Sequence, residues 1–168
     1  MPNTYTLIAT NTVGAGGVAT VTFSSIPATY TDLLVKNSSR AASGTNDMKL
    51  TFNASGSGYS DRSIYGSGTI GQSSTNSASN IFPGVINSNT TTANTFASNE
   101  YYIPNYTSSN YKTVSVDSVT ENNATVAYSF LVAGLWSNTA AITSITLAPN
   151  SGNFDQYSTF TLYGISNA

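Results

Sequence analysis

Apolar and polar residues alternate with a period of two along most of this chain. Tyr5-Thr6-Leu7-Ile8-Ala9-Thr10 reads as a first strand, and Val18-Ala19-Thr20-Val21-Thr22-Phe23 as a second, half-buried one. Gly14, Gly16 and Gly17 lie between them and supply turn conformations, so the two runs are expected to form a hairpin. Ile26-Pro27 then breaks the ladder, because proline has no N–H to donate. Leu33–Ser38 and Met48–Asn53 follow as strands, the second with Met48, Leu50 and Phe52 on one face. Residues 55–80 are rich in Gly, Ser, Thr and Asn and read as a long exposed loop, either a mobile loop with no role or, as an alternative to residues 1–12, a clasp that reaches a neighbouring subunit.

Order returns at Phe82–Ile86 and at Thr95–Ile103, with a turn at Pro104–Thr107. Val114–Val119 alternates cleanly, and Val126–Trp136 is expected as the longest and most buried strand. Asn122-Asn123 between them makes a short hairpin turn. Ile142–Leu147 and Ser158–Ile165 complete the set. No window repeats an apolar face at helical spacing. The expectation is one all-β domain over 1–168, an antiparallel β-sandwich or jelly roll of about 8–10 strands with no significant helix. Residues 1–12 form its N-terminal arm or strand. The expected core is Leu7, Val21, Phe23, Leu34, Leu50, Phe52, Phe96, Tyr128, Phe130, Val132, Trp136, Ile142, Ile145, Leu147, Phe160, Leu162 and Ile165.

Composition turns this framework away from catalysis. The chain has no His and no Cys, and only 7% of its residues are charged. Ser, Thr and Asn make up roughly four residues in ten, far above ordinary usage. Proton transfer and nucleophilic attack at neutral pH rest mostly on His, Cys, Lys and clustered carboxylates. Lys49 and Lys112 read as solvated strand residues, not as bases for a serine. Glu100, Glu121, Asp61, Asp117 and Asp155 show no spacing that pairs them for glycoside hydrolysis. No two acidic residues lie within three positions of each other, so no segment resembles a calcium loop. The reading is a non-enzyme without cofactor or metal.

Net charge is −2, and Lys36, Arg40, Lys49, Arg62 and Lys112 are scattered, which argues against nucleic acid as a partner. The apolar run Phe130–Trp136 is far short of the ~20 residues that span a bilayer. Residues 1–30 carry no basic residue and no apolar signal core, so synthesis in a cytoplasm without membrane association is expected. The 11 tyrosines favour a contact surface, since the ring is apolar, rigid and tipped with a hydroxyl. Tyr59, Tyr65, Tyr106 and Tyr111 fall in turn-like sequence and are the candidate interface or ligand contacts.

Several segments resemble a family of small β-sandwich virion proteins of tailed bacteriophages. Thr22-Phe23-Ser24-Ser25-Ile26-Pro27-Ala28-Thr29-Tyr30-Thr31-Asp32-Leu33 is similar to the family's strand followed by "IPxTYTDL". Leu50-Thr51-Phe52-Asn53 with Gly58-Tyr59-Ser60 resembles its "FN…YS" segment. Ile103-Pro104-Asn105-Tyr106, Ala141–Leu147, and Gly152-Asn153-Phe154 with Ser158–Ile165 follow in the family's order, the last like "GNF…STxxLYGI". The resemblance implies a capsid cement (decoration) protein of the cyanophage type, made in the host bacterial cytoplasm and carried on the capsid exterior. Its implied partners are the major capsid protein and copies of itself, as a homotrimer. The alternative is a tail-fibre or baseplate domain that recognises a host surface glycan. The matched residues are turn-formers and core positions, so no catalytic residue comes with them.

Overall fold

The computed structural model describes residues 4–43, 47–123 and 127–166. Among them are twelve strands and no helix. They are β1 (Tyr5–Thr12), β2 (Val21–Phe23), β3 (Asp32–Ala41), β4 (Met48–Phe52), β5 (Tyr59–Gly66) and β6 (Gly71–Ala78). β7 (Asn87–Ser88), β8 (Ala97–Ile103), β9 (Lys112–Thr120), β10 (Tyr128–Trp136), β11 (Ile145–Pro149) and β12 (Thr159–Ile165) follow. The chain is all-β, and its sheets pack as a sandwich.

The two layers are unequal. A nine-stranded sheet runs β1-β12-β3-β8-β9-β10-β5-β6, with β7 parallel to the end of β3. A three-stranded sheet, β2-β11-β4, covers its inner face. The alternation of β8 and β9 shows why these segments are strands. Ala97, Asn99, Tyr101 and Ile103 point inward while Ser98, Glu100 and Tyr102 point out. In β9, Lys112, Val114, Val116, Ser118 and Thr120 are buried and every residue between them is exposed.

Between the layers, Val21, Phe23, Leu50, Phe52, Ile145 and Leu147 of the small sheet join one cluster with Leu33, Val35, Tyr101, Val116, Val132 and Leu162 of the large one. Burial at this scale is the main stabilising term for a chain without cross-links. An aromatic group closes one end. Trp136 stacks on Tyr59 at 6.1 Å and tilts against Phe52 at 5.7 Å. Gly164 shows a packing demand that only glycine meets: a Cβ there would overlap the ring of Tyr30, which lies across the strand.

Several expectations change. The hairpin between the first two runs does not form. β1 pairs with the C-terminal β12, and β2 pairs with β11 in the other sheet. Of arm and strand, residues 5–12 are strand, an integral edge of the large sheet. The long exposed loop expected over 55–80 is instead the β5–β6 hairpin, in unbroken register from Tyr59–Ala78 to Gly66–Gly71. Leu7 is 57% exposed and is not core. Phe96 and Tyr128 are half-buried. The β9–β10 hairpin does form, pairing Tyr128 with Thr120. Val126, expected to open its second strand, lies outside the described residues.

Candidate interaction surface

The small sheet covers the inner face of the large one, and no second sheet in the described chain covers the outer face, where Asp32, Leu34 and Ile165 near one end are buried. Cross-strand partners share a face, so the registers define its rows. One row runs Leu7, Tyr163, Leu34, Tyr102, Ser115, Ala133, Arg62. The next runs Thr161, Lys36, Glu100, Asp117, Leu131, Ile64. Six of the chain's exposed large apolar side chains lie here: Tyr5, Leu7, Ile64, Tyr102, Val119 and Leu131, with Ile64 at 60% and Leu131 at 54%.

The face has two halves of different relief. Tyr5, Leu7, Tyr163 and Tyr102 make a bulky half on β1, β12, β3 and β8. Ser73, Ser115, Ser129, Ala133, Gly66 and Gly71 make a low half on β9, β10, β5 and β6. A depression of about 800 Å³ opens over the low half, between Ile64, Ser73, Asp117, Ser129 and Leu131. At about 4.8 Å between strands and about 3.3 Å per residue, eight strands of about seven residues present roughly 800 Å². That is about one partner's share of a standard protein interface.

Charge on this face is sparse and ordered. Lys36 Nζ donates to Glu100 Oε2 at 2.8 Å. The same contact holds the Lys36 ammonium above its ordinary range. Glu100 stands directly opposite Asp117 on β9, a pairing of like charges that Lys36 offsets. The carboxylates showed no pairing in the sequence; the β8–β9 register brings these two together. At the edge of the bulky half, Tyr102 Oη donates to Asp32 Oδ2 at 2.8 Å, and the Asn105 N–H donates to Asp32 Oδ1 at 2.9 Å. That hydrogen bond, more than burial, raises the Tyr102 pKa.

The four tyrosines singled out in the sequence do not form one site. Tyr59 and Tyr106 are buried in the core, at 3% and 0% exposure, and so are corrected from contact residues to structural ones. The Tyr59 hydroxyl accepts the Phe52 N–H at 2.8 Å and donates to Phe52 O at 3.2 Å. The Tyr106 hydroxyl donates to Pro27 O. Burial raises the pKa of both. Tyr65 is half-buried, stacks on Phe130 at 4.6 Å, and donates to Gln72 Oε1. Tyr111 alone is well exposed, at 59%.

Lys112, expected as a solvated strand residue, is structural, and so is Arg40. Lys112 is 1% exposed and donates to the carbonyls of Ser108 at 2.7 Å, Asn110, and Thr139 at 3.4 Å. It ties two loops together, and burial lowers its pKa. Arg40, 6% exposed, donates Nη1 to Thr92 O and Thr95 O at 2.9 Å each and lies 3.7 Å from Asp155. Asp61 is buried too, accepting from the Phe82 N–H at 3.0 Å and the Asn76 amide at 3.2 Å. Among the described residues, no three His, Cys, Asp or Glu side chains gather at one point. No described helix is long and apolar enough to cross a membrane. No family model, no curated protein and no solved structure matches this chain.

Proposed function

We propose that this protein is a structural component of a tailed-phage virion. It binds the outside of the shell and bridges major capsid subunits, so that the head resists internal pressure. It works by contact, with no bond made or broken. The observation that carries the reading is the uncovered outer face of the nine-stranded sheet, with its six exposed apolar side chains. Six exposed apolar side chains gathered on one face support reading it as a docking surface. The phage resemblance of residues 22–33, 103–106 and 152–165 supplies the kind of partner. The low charge density suits a contact made of apolar and hydroxyl surface, repeated many times over one particle.

The test is quantitative densitometry of purified virions, reported as copies relative to the major shell protein. Copies in the hundreds support the reading. A handful of copies moves the protein to the tail and favours recognition of a host glycan. The feature that speaks for that second reading is the pair of outward rings, Tyr163 and Tyr102, on neighbouring strands of the open face, on which a sugar could stack.

A further inference from the structure

A strand at the edge of a sheet offers a row of unpaired N–H and C=O groups, and folded proteins block such edges. Three edges here are blocked. β1 is broken by a register shift between Leu7 and Ala9. β2 is three residues long. The free side of β4 is closed by reciprocal Leu50–Ile81 bonds at 3.0 Å and by Met48 N–H donating to Gly84 O at 3.1 Å.

β6 has none of these devices. Its eight residues, Gly-Gln-Ser-Ser-Thr-Asn-Ser-Ala, carry no charge and no proline. It pairs with β5 without a bulge along its whole length. Gly71 to Thr75 are exposed, and no backbone bond reaches its far side among the described residues. Gln, Ser, Thr and Asn side chains leave this edge without a large apolar group. It is an open template for one more strand.

We propose that the strand it accepts is β6 of a second copy of this chain. The two run antiparallel about a twofold axis near Ser74 and Thr75. Three observations favour a second copy over a foreign strand. The segment meets itself without like charges. Its Ser and Thr side chains suit the cross-strand hydroxyl pairs that stabilise antiparallel ladders. The shift at Leu7/Ala9 guards the opposite edge of each large sheet, so growth stops at two copies.

Antiparallel pairing through an edge places the twofold axis normal to the sheet. Both outer faces then point the same way and form one surface of twice the width. This consequence, unlike the pairing itself, rests on the docking role proposed above. A pair would grip two shell subunits at once and gain avidity with no new contact.

Sedimentation of the purified full chain tests the pairing without virions. The expected mass is 35 kDa, twice the 17.5 kDa of one chain. Thr75→Lys sets two ammonium groups beside each other at the axis, and the dimer dissociation constant should rise about tenfold or more. Thr10→Lys on the guarded β1 edge should leave it unchanged. Because the chain has no cysteine, single cysteines placed in turn at Ser73, Ser74, Thr75 and Asn76 report the register directly. At least one of them should give a reducible 35 kDa band, and a cysteine at Thr10 should give none. A monomer at every concentration, or an oligomer of another mass that Thr75→Lys does not weaken, overturns the proposal. If the pair forms while virions lack the protein, only the docking role falls.

Discussion

Replacing Tyr59 by Phe removes one oxygen atom and should cost more than most surface substitutions. The Tyr59 ring stays against Trp136 and Phe52, so the aromatic packing is kept. What is lost is the acceptor for the Phe52 N–H at 2.8 Å. Phe52 is fully buried, so no solvent replaces it. The Phe52 carbonyl keeps a second donor, the Ser55 N–H at 2.9 Å, and is not orphaned. The loss is therefore one buried amide, about 1–3 kcal/mol. In a chain of this length that is a fall in Tm of about 2–12 °C. Trp136 is the single tryptophan, 1% exposed and stacked on the mutated ring, so its emission reports the unfolding of this site. Urea titration followed by that emission should show a lower midpoint with an unchanged slope. A change below about 0.5 kcal/mol, the ordinary range for a surface position, would refute the assignment of this hydroxyl.

Two further substitutions test the buried charges. Burial, more than any other influence, raises the Asp61 pKa, with the Phe82 N–H, the Asn76 amide and Arg62 opposing it. The folded chain therefore holds this proton more tightly than the unfolded one, and stability falls as pH rises from the ordinary 3.8 through the raised folded value. Asp61→Asn keeps an acceptor for the Phe82 N–H. It should raise Tm at pH 7 by calorimetry, with the gain vanishing below pH 3.8; an unchanged or lower Tm at pH 7 would exclude a charge cost at this site. Lys112→Met leaves the carbonyls of Ser108, Asn110 and Thr139 without their shared donor. It should lower stability at pH 7 by about 1–3 kcal/mol in chemical denaturation, and a Met variant as stable as the parent would show that the ammonium ties nothing.

Strand existence was legible where side chains alternate by hydrophobicity, and strand pairing was not. Val114, Val116 and Val119 announced β9, and Asn122-Asn123 announced a turn before β10, although the link from Thr120 to Tyr128 is longer than those two residues. β6 was invisible because Gly71–Ala78 contains no large apolar residue; its strand state comes from pairing with β5 and not from burial. The partners of β1 and β2 lie more than a hundred residues away, and no local signal specifies them. Lys112 could have been placed correctly, since it is in phase with the inward Val114 and Val116. Tyr59 and Tyr106 misled because turn-like sequence surrounds them. Each is drawn inward by a backbone partner in another segment, Phe52 and Pro27. The outer face was hidden for a related reason. Leu7 looked like core, and only the register shows that it stands with Tyr163 on the uncovered side.

The unequal sheets explain why so neutral a chain carries exposed apolar side chains on one open face. Three short strands can cover one face of a nine-stranded sheet, and they leave the other with no layer of its own. A face meant only for water would carry polar side chains throughout, as the outer positions of antiparallel sheets commonly do. Here Ile64, Val119 and Leu131 alternate instead with Ser115, Asp117 and Ser129, which adds nothing to the core and works against solubility. The cost is tolerable if that face is covered in the working state. The described ion pairs are two, and the exposed one, Lys36–Glu100, adds little to stability, while the buried cations Arg40 and Lys112 act through hydrogen bonds to carbonyls. Stability thus rests on the buried layer, and under the proposed function recognition falls to the open one. Substitutions at Ile64 or Leu131 should therefore weaken association while leaving the unfolding midpoint near that of the parent.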